Sequence, residues 1–491
     1  MRGSRTSRFP RVAASALVFF ALALALLPSG GASTAEAASS FAPVPCRDAA
    51  WKNGDATFAA LSGAKAYFGE YAGGLYRVEI PDKWNGELVL YAHGYAGEGE
   101  NLGVQTPLAA WRAHLIDQGF AWAASSYRCN GYVPGIGLQD TMLLSGIFQN
   151  VSGGKVPTRT YLTGVSMGGH ITNLGMQEFP TAFAGGLSIC AAGPGLFDYF
   201  AANAAAAEVV TGLKFSSAET SAATLAKMLA VLGTPPNFTA KGLQQASIMI
   251  NSSGGPRPFA FEGLPAYFAA TISGGKLAGE KSLLGSAASN ENWVYSIDPG
   301  IGLSAADLSS QVRRVTGDPA YRSDATPYNE LKPFNGKIAR PLLTMHGTGD
   351  MFVPIFLERD LQAAVEKAAN GNLLVQRIYR TGAHCGFSGE ETNQAFDDMV
   401  AWARGGAKPA GDDIKASLQN AGLKYTNPLR AGDPGTLTAP PPKPAPAPPA
   451  TGSGAEGDSG RELPLYAGGI AAFVLAAAAT GVALGQTRRR R

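Results

Sequence analysis

Histidine and cysteine are scarce in this chain. Five histidines and four cysteines among 491 residues leave few places for imidazole or thiolate chemistry, and no Cys/His group has the close spacing of a zinc site. Neither a metal nor another cofactor is expected. Charge is thin as well, at 16% of residues with a formal net charge of +3. Eight of the positive charges are Arg2, Arg5, Arg8, Arg11 and the closing Arg488, Arg489, Arg490 and Arg491, and removing them from +3 leaves −5 for residues 12–487. No basic face remains to balance phosphates, so nucleic acid is not an expected partner. No internal repeat is found, and residues 38–430 contain no long uninterrupted apolar run.

The ends are not globular in composition. Residues 1–37 carry four arginines, an apolar stretch over 12–27 and then Ala35-Glu36-Ala37, an A-x-A cleavage site, which together read as a secretory signal peptide. Residues 431–464 are first Pro-rich and then Gly/Ser-rich, a semi-rigid spacer that cannot build a core. The apolar span 465–485 is long enough to cross a bilayer, and the basic tail 486–491 should stay on the cytoplasmic side. An exported protein held at the outer face of the cell membrane is expected. Pro448-Pro449-Ala450-Thr451-Gly452 is also close to a Leu-Pro-x-Thr-Gly sortase signal, with Pro in place of Leu, which keeps the cell wall open as the attachment site.

Between the ends, β-rich apolar runs alternate with helical patterns. Strands are expected at 75–80, 88–92, 121–126, 160–163, 186–190, 342–345 and 374–379, with helices at 107–117, 138–149, 168–178, 355–369 and 391–403. This alternation predicts an α/β architecture, a mostly parallel sheet with helices on both faces. Residues 191–340 interrupt it and divide the core into halves 38–190 and 341–430. The interruption holds a helical stretch at 221–232 and many aromatics, Phe197, Tyr199, Phe200, Phe215, Phe259, Phe261, Tyr267, Phe268, Trp293 and Tyr295 among them. These serve either the core of the inserted segment or an apolar pocket.

Four motifs fall at strand ends. Gly164-Val165-Ser166-Met167-Gly168 follows the strand ending at 163 and opens a helix, a G-x-S-x-G turn that presents Ser166 on a sharp strand-to-helix bend. The Met167 amide next to it is a candidate oxyanion donor. His93-Gly94-Tyr95 ends the strand at 92, where an amide of Gly94 or Tyr95 is placed to be the second donor. Gly347-Thr348-Gly349-Asp350 sets a carboxylate just past the strand at 342–345, and Thr381-Gly382-Ala383-His384-Cys385 sets an imidazole past the strand at 374–379. Serine is a weak nucleophile until a base takes its proton, and an imidazole does so near neutral pH when an acceptor holds its tautomer. Ser166, His384 and Asp350 are the candidate nucleophile, base and acid, with Asp198 a competitor for the acid. Among the other histidines, His114 lies in a helical pattern, His346 at the strand end beside the acid loop, and His93, His170, Phe197 and Tyr199 are candidate pocket residues.

The order Ser166, Asp350, His384, with the four motifs at 164–168, 93–95, 347–350 and 381–385, resembles the α/β-hydrolase superfamily. That resemblance implies the α/β-hydrolase fold, a lid formed by residues 191–340, and a secreted serine hydrolase acting on small-molecule or polymeric carboxylic esters through an acyl-enzyme. His384-Cys385 is similar to the tannase and feruloyl esterase group, in which the cysteine after the histidine is bridged to one just before the serine; Val165 stands at that second position here. The 164–170 run is also similar to prolyl-oligopeptidase-like peptidases, which makes peptide hydrolysis the nearest alternative, with a non-catalytic surface binding protein as a further one.

Cys46, Cys129, Cys190 and Cys385 in an exported chain are expected to form two disulfides, with three possible pairings. Cys190 with Cys385 is favoured, because Cys190 ends the strand after the Ser166 helix and so falls near the histidine loop. Cys46 with Cys129 is then what remains.

Overall fold

The computed structural model describes residues 52–53, 58–97, 101–215, 221–234, 237–264, 268, 287–415 and 417–426. The expected signal peptide, spacer, sortase-like run, apolar span and basic tail lie outside the described residues, as do Cys46 and Tyr267. Among the described residues, no helix is long and apolar enough to cross a membrane.

Eight strands form one sheet: β1 (Ala64–Tyr71), β2 (Gly74–Pro81), β3 (Glu87–Ala92), β4 (Ala121–Ser125), β5 (Arg159–Val165), β6 (Gly185–Ile189), β7 (Leu342–Gly347) and β8 (Leu374–Tyr379). Their spatial order is β1-β2-β4-β3-β5-β6-β7-β8. β1 and β2 pair antiparallel, as do β2 and β4, and every pairing from β4 through β8 is parallel. This order is the α/β-hydrolase fold. Every residue of β3 is buried, and its side chains divide by strand parity. Val89 and Tyr91 join one core with Tyr161, Trp122 and Met345, whereas Leu88 and Leu90 join another with Leu162, Ala123 and Leu342. Such two-sided burial is what parallel strands with helices on both faces require.

Five helices supply those faces. Trp111 and Leu115 of α1 (Ala109–Asp117) occupy the first core, and Leu144 and Phe148 of α2 (Pro134–Val151) the second. The helix after Ser166, α3 (Met167–Glu178), sends Met176 into the second core. Among the described residues, the helices that precede β7 include α4 (Leu196–Thr211), α5 (Ser221–Leu232), α6 (Ala240–Ser252) and α7 (Ala305–Gln311). After β7 come α8 (Phe356–Lys367), which adds Leu361 and Val365 to the second core, and α9 (Gly389–Ala403), which adds Phe396 and Met399 to the first.

The strand β1 was not evident in the sequence. Its residues Ala-Lys-Ala-Tyr-Phe-Gly-Glu-Tyr lack a long apolar run because β1 is the outer strand of the sheet and half of its side chains meet solvent. The turn into β2 carries the signal: Ala72 and Gly73 both have positive φ, 51° and 85°, and connect the paired residues Tyr71 and Gly74 as a two-residue hairpin loop.

The segment between β6 and β7 builds a core of its own. Phe197, Tyr199 and Phe200 of α4 pack with Met228, Phe238, Met249 and Tyr295, and this cluster continues into Tyr132 and Ile171 beneath it. Phe259 and Phe268 are buried too. Most of the aromatics that admitted a pocket reading are therefore packing residues of the insertion.

Candidate active site

Ser166 sits at the junction of β5 and α3 with φ 59° and ψ −116°, a conformation that costs a non-glycine residue energy and persists only where the surroundings impose it. The surroundings do so by close approach. A Cβ on Gly164 would overlap the Gly168 carbonyl, and one on Gly168 would overlap the carbonyl of Ala92. Main-chain bonds pin the bend: Ser166 N–H donates to Ile189 O at 2.9 Å, and Ala192 N–H donates to Ser166 O at 3.1 Å. Met167 and Val165 are buried while Ser166 stays partly open, so the hydroxyl is the part of this turn that solvent can reach.

His384 lies on the loop between β8 and α9. Asp350 Oδ2 can only accept, so His384 Nδ1 carries the proton of the 2.6 Å bond between them. That leaves the Nε2 lone pair to accept from Ser166 Oγ–H at 2.9 Å. Asp350 is fully buried, and its other oxygen, Oδ1, accepts from the amides of Phe352 at 3.1 Å and Val353 at 2.9 Å. Burial alone would raise the Asp350 pKa, but the His384 charge and hydrogen bond, the nearby His346 and the Val353 amide outweigh it and hold the carboxyl below its ordinary value. The loop carrying His384 is fixed at its exit, where Ser388 and Glu391 form a capping box at the start of α9. It is fixed beside the imidazole by the Cys190–Cys385 disulfide. Cys129 is disulfide-bonded as well.

His346 backs the acid turn. It is buried, its Nε2–H donates to Val353 O at 2.9 Å, and its Nδ1 lies 3.6 Å from Glu358 Oε1, an ion-pair distance rather than a hydrogen bond. Burial opposes its charge, yet Glu358 and then Asp350 prevail and raise its pKa. Val353 thus accepts from His346 at its carbonyl and donates its N–H to Asp350.

The backbone of Gly94 approaches Ser166 so closely that a Cβ there would lie 3.3 Å from the serine Cβ. His93 orients this segment. Its Nδ1–H donates to Gly94 O at 2.6 Å, its ring stacks on Tyr127 with centroids 4.1 Å apart, and Tyr127 O–H donates to His93 O at 2.9 Å. A carbonyl held in this way fixes its peptide plane, and the N–H of that plane is the Tyr95 amide. The Met167 amide belongs to the first turn of α3, where no intrahelical acceptor exists. A candidate nucleophile, an imidazole oriented to act as its base, a buried carboxylate and two candidate amide donors together form a set that can carry out acyl transfer.

The other sequence candidates lie elsewhere. Asp198 accepts from Ser289 N at 2.8 Å and Arg322 Nη2 at 2.7 Å, a brace inside the insertion. His114 meets Asp397 at 2.8 Å and ties α1 to α9. His170 is buried with Nδ1 2.9 Å from the Tyr132 hydroxyl, and desolvation lowers its pKa to about 3. Phe197 packs on Tyr132 with ring centroids 4.8 Å apart, and Tyr199 O–H donates to Met351 O at 3.0 Å. The aromatic ring beside His384 is Phe352, at 5.2 Å, a residue the sequence motifs did not single out. Cys190, His384 and Cys385 cluster with ligand atoms within 4.8 Å, but both sulfurs are spent in the disulfide, which leaves one metal ligand there.

No protein-family model matches the chain, and no curated protein matches it. Among solved structures it is similar to feruloyl esterase B from Aspergillus oryzae, with 14% identity, 70% of this chain and 80% of that one covered, and a TM-score of 0.41. It is also similar to the acylaminoacyl peptidase of Pyrococcus horikoshii, at 14% identity over 72% of this chain and 44% of that one, with a TM-score of 0.37. A third likeness is to an esterase of Pyrococcus furiosus, at 12% identity over 72% and 95% of the two chains, with a TM-score of 0.33.

Proposed function

We propose that this chain of α/β-hydrolase fold is a serine hydrolase that cleaves carboxylic esters through an acyl-enzyme. The observation that carries the reading is the continuous line from Ser166 Oγ through both nitrogens of His384 to Asp350, at 2.9 and 2.6 Å. Ser166 attacks the ester carbonyl while His384 Nε2 takes its proton, and the buried Asp350 carboxylate stabilises the imidazolium that results. The oxyanion of the tetrahedral intermediate is received by the Met167 amide and an amide of the 94–95 segment, and loss of one such donor typically costs about a hundredfold or more. His384 then protonates the leaving alcohol, and water repeats the sequence on the acyl-Ser166. The proton removed from one oxygen is returned to another, so the cycle needs no cofactor.

An ester makes the lesser demand on such a site, because an alkoxide leaves more readily than an amide nitrogen. The insertion between β6 and β7 serves as the lid in this reading, and small-molecule and polymeric esters both remain within it. Export fits the disulfides, and residues 465–485 are the proposed anchor at the outer membrane face.

The test is purified full-length protein assayed on p-nitrophenyl esters of graded acyl length beside aminoacyl p-nitroanilides, with fluorophosphonate labelling of wild type and Ser166→Ala. Ester turnover and labelling that both vanish in Ser166→Ala are expected. Amide turnover without ester turnover moves the protein to the peptidases, and absence of both turnover and labelling leaves a binding protein on a hydrolase scaffold.

A further inference from the structure

The inserted segment packs closely against the acid turn. Arg257, which follows α6, is wholly buried, and among the described residues it makes no ion pair. Its guanidinium instead grips the turn that carries Asp350: Nε donates to Thr348 O, Nη2 reaches Met351 Sδ at 3.4 Å, and Nη1 returns to Gly255 O at 2.8 Å. Tyr199 of α4 holds the same turn from another side through Met351 O at 3.0 Å. The backbones interlock as well. A Cβ on Gly349 would overlap the Phe259 carbonyl, and one on Gly263 would overlap the Gly349 carbonyl. The neighbouring stretch reaches the histidine loop, since a Cβ on Gly382 would stand 2.6 Å from Glu262 Cβ.

A buried guanidinium spent on two carbonyls and a thioether is costly unless a negative charge lies within its field. Arg257 interacts electrostatically with Tyr199 and with the Asp350 carboxylate, and burial lowers its pKa only to about 10, so it stays cationic near neutrality.

We propose that Arg257 is a positioning residue for the acid: it clamps residues 348–351 in place and supplies the cation that faces the Asp350–His384 pair from the insertion. This rests on the reading of Ser166, His384 and Asp350 as the hydrolytic triad, and it makes the insertion part of the catalytic apparatus rather than a cover alone. The charged and titratable groups around the pair are then His346 with Glu358 from the core side and Arg257 with Tyr199 from the insertion side, while Arg359 of α8 acts on Arg257 from the core.

Arg257→Met removes the charge and keeps the bulk, whereas Arg257→Lys keeps the charge and loses the fork. With rates normalised to fluorophosphonate-titrated sites, Arg257→Met should lower kcat about ten- to a hundredfold with KM within about twofold. It should also move the acid limb of the kcat/KM profile to higher pH, because the Asp350 carboxylate, and with it the hydrogen-bonded pair, takes up a proton more easily once the neighbouring cation is gone. Arg257→Lys should leave the limb in place and recover part of kcat. A purely structural role lowers the titre and the melting temperature but moves no limb. Wild-type kcat in Arg257→Met, or a limb that stays put while Lys rescues nothing, overturns the proposal. If Arg257→Met does not fold, Tyr199→Phe decides: a several-fold loss of kcat at constant KM supports the clamp, and wild-type kcat rejects it. Turnover surviving in Ser166→Ala would defeat the triad reading instead, so the two failures are distinguishable.

Discussion

Cys190 and Cys385 are joined by a disulfide with Cα atoms 5.3 Å apart, and each is a chain neighbour of the site. Cys385 follows His384, and Cys190 follows Ile189, whose register partner Val165 precedes Ser166. One covalent bond thus links the His384 loop to the strand beside Ser166, across 195 residues of chain. Both half-cystines have positive φ, 44° and 55°, so both turns depart from extended strand geometry at the points the bond connects.

Replacing both cysteines by alanine should therefore cost stability and rate together. In the chain-entropy model a crosslink over a loop of this length restricts the unfolded chain by up to about 5 kcal/mol, and the loosened His384 loop should lower kcat by about tenfold or more at nearly constant KM. Melting temperature and turnover of the double variant Cys190→Ala, Cys385→Ala beside wild type are the check, with full reduction of both proteins showing what the Cys129 bond adds. A double variant with wild-type melting temperature and turnover would show that the bond supports neither the fold nor the placement of His384.

A second expectation concerns the 93–95 segment. His93→Phe keeps a ring on Tyr127 but removes the hydrogen bond to Gly94 O, so the peptide presenting the Tyr95 amide loses one restraint on its orientation. Because the lost orientation matters most when the oxyanion forms, kcat should fall about tenfold to a hundredfold with KM little changed. Tighter binding of a substrate-like ketone to the variant than to wild type would contradict this.

The parts of the site that were legible in the sequence are those set by local geometry. Ser166, Asp350 and His384 each follow a strand, and strand, turn glycine and reactive side chain occupy one short window. Cys190 was placed near Cys385 by the same strand-end reasoning. What was not legible depends on distant packing. Arg257 reads as one charge in a Gly/Pro-rich stretch, and only the fold brings it under Thr348. Phe352 is one apolar residue of an acid turn until its ring is found against His384. Tyr199 was a candidate for the pocket because aromatics in an insertion commonly line one, yet its hydroxyl is spent on Met351 O.

Asp350→Asn should separate the acid's catalytic part from its part in stability. An amide nitrogen facing His384 Nδ1 favours the wrong tautomer, which in serine hydrolases of this type costs about three to four orders of magnitude in kcat. The native carboxyl titrates below its unfolded value, so its stabilisation is complete above the ordinary carboxylate range and disappears as pH falls below about 4. Wild type should thus be the more stable protein by denaturant unfolding at pH 6, with the gap closing at pH 3. A gap that widens in acid would mean that Asp350 is not held as the anion.

Glu330 carries the opposite sign. Its carboxyl is fully buried at the start of α2, where Oε2 accepts from Gly135 N–H at 2.7 Å and Oε1 has no partner. Burial pushes its pKa up to about 8, against the smaller opposing effect of the Gly135 and Ile136 amides. Between the ordinary glutamate value and about 8 the folded chain holds a proton that the unfolded chain has released, so stability falls with rising pH by up to about 1.4 kcal/mol per unit. Above that window the cost is constant. Glu330→Gln keeps an acceptor for Gly135 and removes the titration, so it should gain on wild type steadily from pH 5 to pH 8 in denaturant midpoints. Its turnover on esters should be unchanged, because Glu330 contacts none of Ser166, His384 or Asp350 in the described structure. Parallel stability curves for the two proteins over this range would place a charged Glu330 in the native state and reject the buried neutral carboxyl.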